Sequence, residues 1–384
     1  MNKGKERIVL FGSSNGKYYS DNSMFVFEWI LKNRNDIKPV WLTRNRAVFD
    51  KLRKEKKPVA LINSIKGVVL LFKASVGLFT NSLRDLAINP FLMPKFLNLI
   101  ALRHGKSVKK VRFAIEGSKI LKKEKGEREK ENYHIKYAIS TSEFISDIQE
   151  QCLLIGREKH IVTGYPRNDE LFNPSEENKN KWKKFTESVR FNKAILYGPS
   201  WRHGREATRF FPFNDFDKNE LKNFLESKKI ILLLRPHKND LLRYNSLSKF
   251  LKELASSSEN IKFVSHDIFP DVNSILPFID VLISDYSALY HDFLLLDRPL
   301  MFVPYDFDDY NKQNGFLYDY YENLPGPALK NFKDFCNNIE AISRGIDEYI
   351  DKRRKLCDRV HFYKDSKSCE RVSKLIDRIL DENK

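Results

Sequence analysis

Short apolar runs of strand length alternate with helix-length segments along this chain, and this alternation restricts the fold more than any other feature. Such runs in the first half are Arg7–Phe11, Lys38–Leu42, Val59–Ile62 and Ala74–Thr80, and a helix is expected over about Ser23–Lys32. Parallel strands require helix-length crossovers, whereas antiparallel strands can be joined by short turns. The pattern therefore predicts a doubly wound α/β domain with a parallel sheet.

The same pattern restarts after residue 174. A polar, lysine-rich helix is expected over Pro174–Arg190, and further strand-like runs follow at Ala194–Tyr197, Ile230–Arg235, Ile261–Phe263, Val281–Ser284 and Leu300–Val303. The segment Phe335–Leu380 is helical in character. We therefore expect two Rossmann-like doubly wound domains that face a cleft, over residues 1–174 and 175–384, with the last helix as a candidate to pack back on the N-terminal domain. Ligands of such domains bind beyond the carboxyl ends of the strands.

The charge indicates an anionic partner without identifying it. The chain carries 68 Lys and Arg residues against 51 Asp and Glu residues, a net charge of +17. Nucleic acid, anionic lipid and phosphorylated substrates all remain open on this ground.

Several classes of protein are disfavoured. The apolar run Ile8–Phe11 is too short for a signal peptide, and Lys73 interrupts the apolar stretch Val68–Phe79, so a membrane-spanning helix is not expected. The four cysteines are scattered without a CxxC pair, which argues against a zinc site or a disulfide framework and is typical of a reducing cytosol.

Two segments that follow strands are candidate phosphate sites. In VLISDYSALYHD (Val281–Asp292) a strand ends at Ser284, and a helix is expected from about Ala288 with Ser287 as its N-cap. Free backbone N–H groups at such a turn can cradle a phosphate, although a plain capped helix explains the same pattern. In LLLRPH, Arg235 is suited to phosphate oxygens, and His237 to donating to a bridging oxygen or passing a proton.

Two further loops carry candidate side chains. YGPSWR places Arg202 after a strand as another possible phosphate clamp. LRHGKSVKK (Leu102–Lys110) places His104 on a glycine turn among lysines, where a neutral imidazole could take a proton from an acceptor hydroxyl. For LRHGKSVKK taken alone, a histidine in an ordinary basic loop is the better explanation.

Other patterns argue against nucleotide hydrolysis and against a metal site. Gly12 and Gly16 are one residue too close for a P-loop, and Tyr18 follows Lys17 where Ser or Thr is required. The acidic run YDFDDY is expected to be an exposed turn rather than a metal site. The segment Ile88–Arg112 mixes large apolar residues with cations, which suits either an anionic lipid interface or a core helix followed by a basic loop.

Taken together, these motifs resemble the CDP-glycerol:poly(glycerophosphate) glycerophosphotransferase family of teichoic acid and capsule biosynthesis. The segments that carry the resemblance are GKYYSDN, HGKSVKK, GYPRND, YGPSWR, LLRPH, SDYSALYHDFLLLDRP, YDFDDY, NGFLYDY and LPGP, which span most of the chain. The resemblance implies a fold of the glycosyltransferase-B type, with the nucleotide in the C-terminal half. It also implies transfer of glycerol phosphate or a similar polyol phosphate from CDP-glycerol to a hydroxyl of a lipid-linked saccharide or polymer, with loss of CMP.

The resemblance also implies roles for residues. The candidate catalytic residues are His104, His237 and Asp285. His104 matches the position of the family's proposed catalytic base. The candidate substrate-binding residues are Gly16, Lys17, Asp21, Asn22, Lys109, Lys110, Arg167, Asn168, Arg202, Arg235, Ser284, Tyr286, Ser287 and Asp292. No metal ligand and no tightly bound cofactor are expected.

The implied partners are the CDP-polyol donor, an undecaprenyl-diphosphate-linked acceptor and an anionic membrane surface, with the enzyme peripheral on the cytoplasmic face of the membrane and no nucleic acid bound. The family pattern has Trp before the histidine and Thr-Pro or Ile-Pro after the glycine, where this chain has Arg103, Lys106 and Ser107. A nucleotide-sugar glycosyltransferase of the same fold and a CDP-ribitol-specific phosphotransferase remain the alternatives.

Overall fold

The computed structural model describes residues 7–90, 93–105, 110, 125–126, 129, 131–202 and 206–382. The chain divides into two compact units. Unit 1 takes its residues from Met1–Gly105, Val111–Asp169 and Val360–Lys384, and unit 2 from Lys106–Lys110 and Glu170–Arg359. The polypeptide therefore returns to unit 1 after completing unit 2.

Unit 1 contains a parallel sheet. Its described strands are β1 (Ile8–Gly12), β2 (Lys38–Thr43), β3 (Val59–Leu61), β4 (Val76–Phe79), β5 (Asn98–Ala101), β6 (Ile135–Ser140) and β7 (His160–Val162). They lie in the order β3-β2-β1-β4-β5-β6-β7. The helices are α1 (Asp21–Asn33), α2 (Arg46–Lys54), α3 (Ile65–Lys73), α4 (Glu143–Leu153) and, near the chain's end, α14 (Ser368–Glu382).

The order reverses at β1, as in a doubly wound fold, because the crossovers through α1 and α2 run to one side and those after β3 run to the other. With right-handed crossovers, α3 lies on the opposite face of the sheet from α1 and α2. Buried side chains of α1 and α14 share one apolar cluster with β1, β2 and β4. The C-terminal helix is thus part of the core of unit 1.

Unit 2 contains a second parallel sheet, with the order β10-β9-β8-β11-β12. Its strands are β8 (Lys193–Tyr197), β9 (Ile230–Leu234), β10 (Ile261–Phe263), β11 (Val281–Ser284) and β12 (Leu300–Phe302). The helices between the two parts of unit 1 are α5 (Asp169–Phe172), α6 (Glu176–Thr186), α7 (Lys218–Lys228), α8 (Lys238–Arg243), α9 (Asn245–Ser256), α10 (Leu289–Phe293), α11 (Phe307–Asn314), α12 (Phe332–Ser343) and α13 (Ile350–Val360).

The prediction of two parallel α/β units is confirmed, and each predicted strand is present within two residues of its predicted ends. Strands β5, β6 and β7 were not predicted. Of the two interpretations of Ile88–Arg112, core packing accounts for Met93, Leu97 and Leu99, which are buried in unit 1. Among the described residues, no helix is both long and apolar enough to cross a membrane.

Candidate functional site

The turn that carries His104 leaves the carboxyl end of β5. The Leu102 N–H donates to the Phe79 carbonyl oxygen at 2.7 Å, which extends the pairing of β4 and β5 by one bond. The next residue, Arg103, has φ +57°, a left-handed conformation that is costly for a side chain with a Cβ. His104 follows it and is exposed. The backbone is therefore held in an unusual conformation immediately before the candidate base.

Asn22 and Arg167 stabilise this turn. The Asn22 side-chain amide donates to the carbonyl oxygens of Leu102 at 3.0 Å and Arg103 at 2.6 Å. Its own oxygen accepts from the backbone N–H of Arg167 at 3.0 Å. The Arg167 guanidinium donates to the His104 carbonyl oxygen at 2.6 Å and lies 3.4 Å from an Asp21 oxygen. Unit 1 thus brings four predicted site residues together, from three distant segments of sequence.

The glycine turn near Gly16 follows β1. Gly16 has φ +75°, and an added Cβ would lie 2.7 Å from the Ile62 side chain. Its carbonyl oxygen accepts from the Thr43 hydroxyl and the Arg44 N–H, both at 2.8 Å. Lys17, one residue further on, is exposed. The turn therefore presents Lys17 from a backbone that is tied to the end of β2.

Asp85 is a buried residue that the sequence interpretation missed. Its carboxylate accepts from the backbone N–H groups of Asn15 at 2.5 Å, Thr80 at 2.9 Å and Asn81 at 2.8 Å. Burial raises the pKa of Asp85, and these hydrogen bonds oppose that shift. It joins the loops after β1 and β4. Its place shortly after a buried strand was the only signal in the sequence.

In unit 2, Arg202 lies at the centre of a buried charged network. Its guanidinium donates to Asp285 at 2.6 Å, to the two oxygens of Asp306 at 2.7 and 3.0 Å, and to the Ser200 carbonyl oxygen at 2.8 Å. The Arg202 side chain is 3% exposed, Asp285 1% and Asp306 12%. We call these four residues, together with Tyr286, the Arg202 cluster.

The Arg202 cluster links three of the motifs. The Ser200 N–H donates to Asp285 at 2.7 Å, and the Tyr286 hydroxyl donates to Asp306 at 3.0 Å. The guanidinium also lies 5.2 Å from the ring centre of Tyr286 and 4.9 Å from that of Tyr305. Burial lowers the pKa of Arg202, but the neighbouring carboxylates outweigh burial and raise it. Four of the five guanidinium N–H groups of Arg202 thus donate to groups of the protein.

Arg235 lies at the end of β9 in a different environment. It is 5% exposed and donates to the Ser265 carbonyl oxygen at 2.9 Å and to Nδ1 of His266 at 2.9 Å. Burial lowers its pKa to about 10. Burial, with the Arg235 charge second, lowers the pKa of His266 to about 4. Arg235 thus donates to uncharged acceptors, while the charge of Asp271 partly offsets the effect of burial on its pKa. Sequence reasoning missed His266, which follows β10.

His237 is the N-cap of α8, where its Nδ1 accepts from the Asn239 N–H at 3.2 Å. A neutral imidazole that accepts at Nδ1 carries its proton on Nε2. The ring stacks on Trp201 with centroids 5.6 Å apart and planes 12° apart. The geometry therefore makes Nε2 of His237 a hydrogen-bond donor.

The turn after β11 differs in detail from the prediction. The helix begins at Leu289 with Ala288, not Ser287, at the N-cap, and Ser287 instead accepts from the Leu289 N–H at 3.3 Å. The Ser284 hydroxyl donates to the Gly198 carbonyl oxygen at 2.9 Å. Asp292 is buried. The helix spans five residues, and a phosphate site at this turn stays a prediction.

The remaining predicted residues are placed as follows. Asn168 is buried in unit 1, beside Arg167 in sequence. Lys109 lies outside the described residues. Lys110 belongs to unit 2, where its N–H donates to the Gly315 carbonyl oxygen at 3.0 Å. Within the described ranges, no group of three or more His, Cys, Asp or Glu side chains is arranged to hold a metal ion.

Comparison with known proteins shows the family to which this chain is similar. The model of the CDP-glycerol:poly(glycerophosphate) glycerophosphotransferase family matches residues 2–378. The chain is 25% identical to the teichoic acid glycerol-phosphate transferase of Staphylococcus aureus (strain NCTC 8325 / PS 47), over 97% of this chain and 93% of that protein.

A longer relative and a solved structure are also similar to this chain. The teichoic acid poly(glycerol phosphate) polymerase of Bacillus subtilis (strain 168) is 29% identical over 88% of this chain, which spans only 44% of that polymerase. The solved structure of the wall teichoic acid polymerase TagF superimposes with a TM-score of 0.78 at 22% identity, covering 98% of this chain and 90% of that one. The fold is therefore of the glycosyltransferase-B type.

Proposed function

This chain belongs to the CDP-glycerol:poly(glycerophosphate) glycerophosphotransferase family, and from that premise we propose that it transfers glycerol phosphate from CDP-glycerol to a hydroxyl of a lipid-linked saccharide or polymer. Its class, a CDP-glycerol glycerophosphotransferase related to enzymes of teichoic acid synthesis, follows from the family and the relatives. The acceptor, the roles of individual residues and the place of action are the parts that need testing.

His104 is the proposed general base. The observation that carries this assignment is the turn described above, in which Asn22 and Arg167 hold the backbone on both sides of an exposed imidazole. A positioned base of this kind is typically worth 10²–10⁴-fold in rate. The acceptor hydroxyl attacks the β-phosphorus, and its proton passes to His104. The bond to the oxygen that bridges the two phosphorus atoms breaks, and CMP leaves with that oxygen.

Unit 2 is the proposed donor-binding unit. Arg235 is a buried cation that donates to carbonyl oxygens and an imidazole, with the Asp271 carboxylate as a charged neighbour, so a diphosphate would give its guanidinium the charged hydrogen-bond acceptors that these bonds lack. The Nε2–H of His237 is suited to donate to a phosphate oxygen. Preorganised donors of this kind each contribute about 3 kcal/mol to stabilising developing charge.

We further propose that these cations and backbone donors serve in place of a tightly bound metal. Phosphoryl transfer depends on positioning and charge stabilisation, which fixed side chains can supply. Transfer is expected to persist in EDTA. Complete loss in EDTA, with recovery only on addition of a divalent cation, would contradict this part of the proposal.

The acceptor is proposed to be an undecaprenyl-diphosphate-linked saccharide or polymer, used at the cytoplasmic face of the membrane. The relatives are named as a teichoic acid glycerol-phosphate transferase and a teichoic acid poly(glycerol phosphate) polymerase, and both names imply an acceptor that receives glycerol phosphate. The net charge of +17 is consistent with an anionic membrane surface as a further partner.

The test is CMP release from CDP-glycerol, with and without a lipid-linked disaccharide, by the native chain and by His104→Ala. Acceptor-dependent release should fall at least 10²-fold in His104→Ala while the far-UV spectrum is retained. His134→Ala, which changes a histidine of unit 1 outside the proposed site, should retain full release.

Each alternative has its own outcome in the same assay. Release from CDP-ribitol but not from CDP-glycerol would make the chain a ribitol-phosphate transferase. Release of a nucleoside diphosphate from a nucleotide sugar, with a glycosidic product, would make it a glycosyltransferase of the same fold.

A further inference from the structure

The loop that follows β10 surrounds the guanidinium of Arg235. We call residues 264–270 the β10 loop. Within the described part of the chain, every hydrogen bond of the Arg235 side chain goes to this loop, to one side chain and three backbone oxygens. The backbone acceptors, at 3.4, 2.9 and 3.5 Å, are the carbonyl oxygens of Val264, Ser265 and Pro270. The β10 loop therefore sets the orientation of this cation.

His266 provides the side chain among these acceptors. Its Nδ1 lies 2.9 Å from Nη2 of Arg235, and its Nε2 lies 3.3 Å from the Pro236 carbonyl oxygen. A guanidinium can only donate and a carbonyl oxygen can only accept, so Nδ1 carries the lone pair and Nε2 carries the proton. A single neutral imidazole thus bridges two consecutive residues of the LLLRPH motif.

The surroundings of His266 keep its imidazole neutral. Burial, followed by the positive charge of Arg235, lowers the pKa of His266 to about 4. His237 and Lys238 act in the same direction, and Asp271 is the carboxylate that acts on the charge of Arg235. The Nδ1 lone pair is therefore available to Arg235 at neutral pH. A protonated ring would instead direct an N–H group at the guanidinium.

The same bridge lies between the two residues that are proposed to bind the donor. Arg235 and His237 flank Pro236, whose ring restricts φ to about −65°. The Arg235 N–H donates to the Tyr197 carbonyl oxygen at 2.9 Å, which ties the start of the turn to β8. His266 adds the bond to the Pro236 carbonyl oxygen. Separate contacts thus hold the backbone of the turn and the guanidinium, and His266 takes part in both.

Holding the guanidinium in advance favours binding of an anion. An arginine side chain that becomes ordered only when a ligand binds loses conformational entropy at that moment, which weakens binding. The described bonds use Nη1 and Nη2 of Arg235 and leave its Nε–H for a phosphate oxygen. The β10 loop therefore fixes the cation without using all of its donors.

We propose that His266 is a positioning residue for the donor, and that it holds the guanidinium of Arg235 in the orientation that receives the diphosphate of CDP-glycerol. The proposal rests on the proposed function, in which Arg235 is the donor-binding cation. His266 itself is not expected to contact the diphosphate. Its effect on donor binding should therefore pass through Arg235.

The experiment is isothermal titration calorimetry of the full chain with CDP-glycerol, without acceptor, for the native chain, His266→Asn and His266→Gln. The asparagine oxygen lies near the position of Nδ1 and can accept from Arg235, whereas glutamine reaches the position of Nε2 and leaves Nδ1 unreplaced. The dissociation constant should rise about tenfold in His266→Gln, as is typical for loss of a hydrogen bond to a charged group, and stay within about threefold in His266→Asn. Equal constants in all three chains, or a greater loss in His266→Asn, would overturn the proposal.

A matched control changes the next residue of the same loop. Asp267 is exposed, and Asp267→Asn should bind CDP-glycerol within about twofold of the native chain. Circular dichroism should show the native spectrum for all of these variants. If Asp267→Asn weakens binding as much as His266→Gln, any change in the β10 loop explains the loss, and the assignment to His266 is wrong.

A double-mutant cycle shows whether His266 acts through Arg235. Lysine has a single nitrogen in place of the guanidinium, so Arg235→Lys removes the Nη2 group that His266 holds. In the Arg235→Lys background, His266→Gln should change the dissociation constant by less than about twofold. A full tenfold effect in that background would show that His266 acts by another route and would contradict the proposal.

Nuclear magnetic resonance supplies a readout that does not depend on the donor. The His266 signals of the chain labelled with nitrogen-15 histidine can be identified by their absence in His266→Asn. They should show a proton on Nε2 and none on Nδ1 at neutral pH. A proton on Nδ1 would overturn the proposal, because that nitrogen could not then accept from Arg235.

The native chain separates failure of this proposal from failure of the proposed function. If the native chain binds CDP-glycerol and the His266 variants bind it equally well, the role of His266 is wrong and the proposed function stands. If the native chain binds neither CDP-glycerol nor CDP-ribitol, the proposed function is contradicted, and the role of His266 with it.

Discussion

Replacing Arg202 by leucine should strongly destabilise unit 2. The substitution removes the cation that neutralises Asp285 and Asp306, which are 1% and 12% exposed. Removing one partner of a buried ionic group typically costs 3–5 kcal/mol, because the remaining charge is left in a medium of low polarity. Asp285 retains the Ser200 N–H and Asp306 retains the Tyr286 hydroxyl, so we expect about 3 to 5 kcal/mol rather than more.

The assay is urea denaturation followed by far-UV circular dichroism, with the free energy of unfolding taken from the midpoint at a shared slope. Lys181→Met is the control, since the Lys181–Glu177 ion pair on α6 is 41% and 81% exposed. An exposed pair of this kind contributes about 0.5 kcal/mol or less. The two substitutions each remove one ion-paired cation and differ in burial.

A double-mutant cycle identifies the cause of the effect. Combining Arg202→Leu with Asp306→Asn should cost at least 1 kcal/mol less than the sum of the two single changes. The reason is that Asp306→Asn removes the carboxylate charge that Arg202→Leu leaves without its cation. If Arg202→Leu costs less than about 1 kcal/mol, or if the two changes add without coupling, the Arg202 cluster is not the electrostatic centre that its geometry indicates.

Three further predictions follow from single contacts. Asn22→Ala removes both amide donors to the turn before His104, so kcat should fall about 10- to 100-fold with little change in KM for CDP-glycerol in steady-state assays. His237→Asn keeps a side-chain oxygen to cap α8 but loses the Nε2–H donor, so denaturation should be nearly unchanged while kcat/KM falls at least tenfold. The pKa of His266 is about 4 in the folded chain and about 6.5 unfolded, so the unfolded chain binds more protons between these values. Stability should therefore fall by about 1 to 2 kcal/mol as the pH drops from 6.5 to 4, given partial exposure, and His266→Gln should reduce that loss in urea titrations at the two pH values.

The sequence predicted the parts of the fold that have a strong local signal. Strands such as Ile230–Leu234 are continuous apolar runs, as expected for strands buried on both faces. Strand β5, Asn98–Ala101, escaped because it lies between exposed Phe96 and the basic turn, where a mixture of apolar and charged residues resembled an interfacial helix. Its burial depends on pairing with β4 and β6, which no local pattern reveals.

The candidate site shows the same division between local and tertiary information. Motif order was sufficient to select His104, Asn22 and Arg167, but only the fold shows that Asn22 and Arg167 hold the turn of His104. Asp85 and His266 were missed because single residues after strands carry no pattern of their own.

Arg202 and Arg235 illustrate why residue type after a strand is not enough to assign a phosphate ligand. Both were selected for the same reason, and both are nearly buried. Arg202 meets two carboxylates, so adding a diphosphate would bring two further negative charges to a cation that is already neutralised. Arg235 donates to carbonyl oxygens and a neutral imidazole, and the carboxylate that acts on its charge, Asp271, accepts none of these bonds, so an anion meets less opposing charge there than at Arg202. Charge balance thus favours Arg235 as the donor-binding cation and Arg202 as the residue that positions the Asp285 turn. On this argument, Arg235→Lys should raise KM for CDP-glycerol, whereas Arg202→Lys should act first on stability.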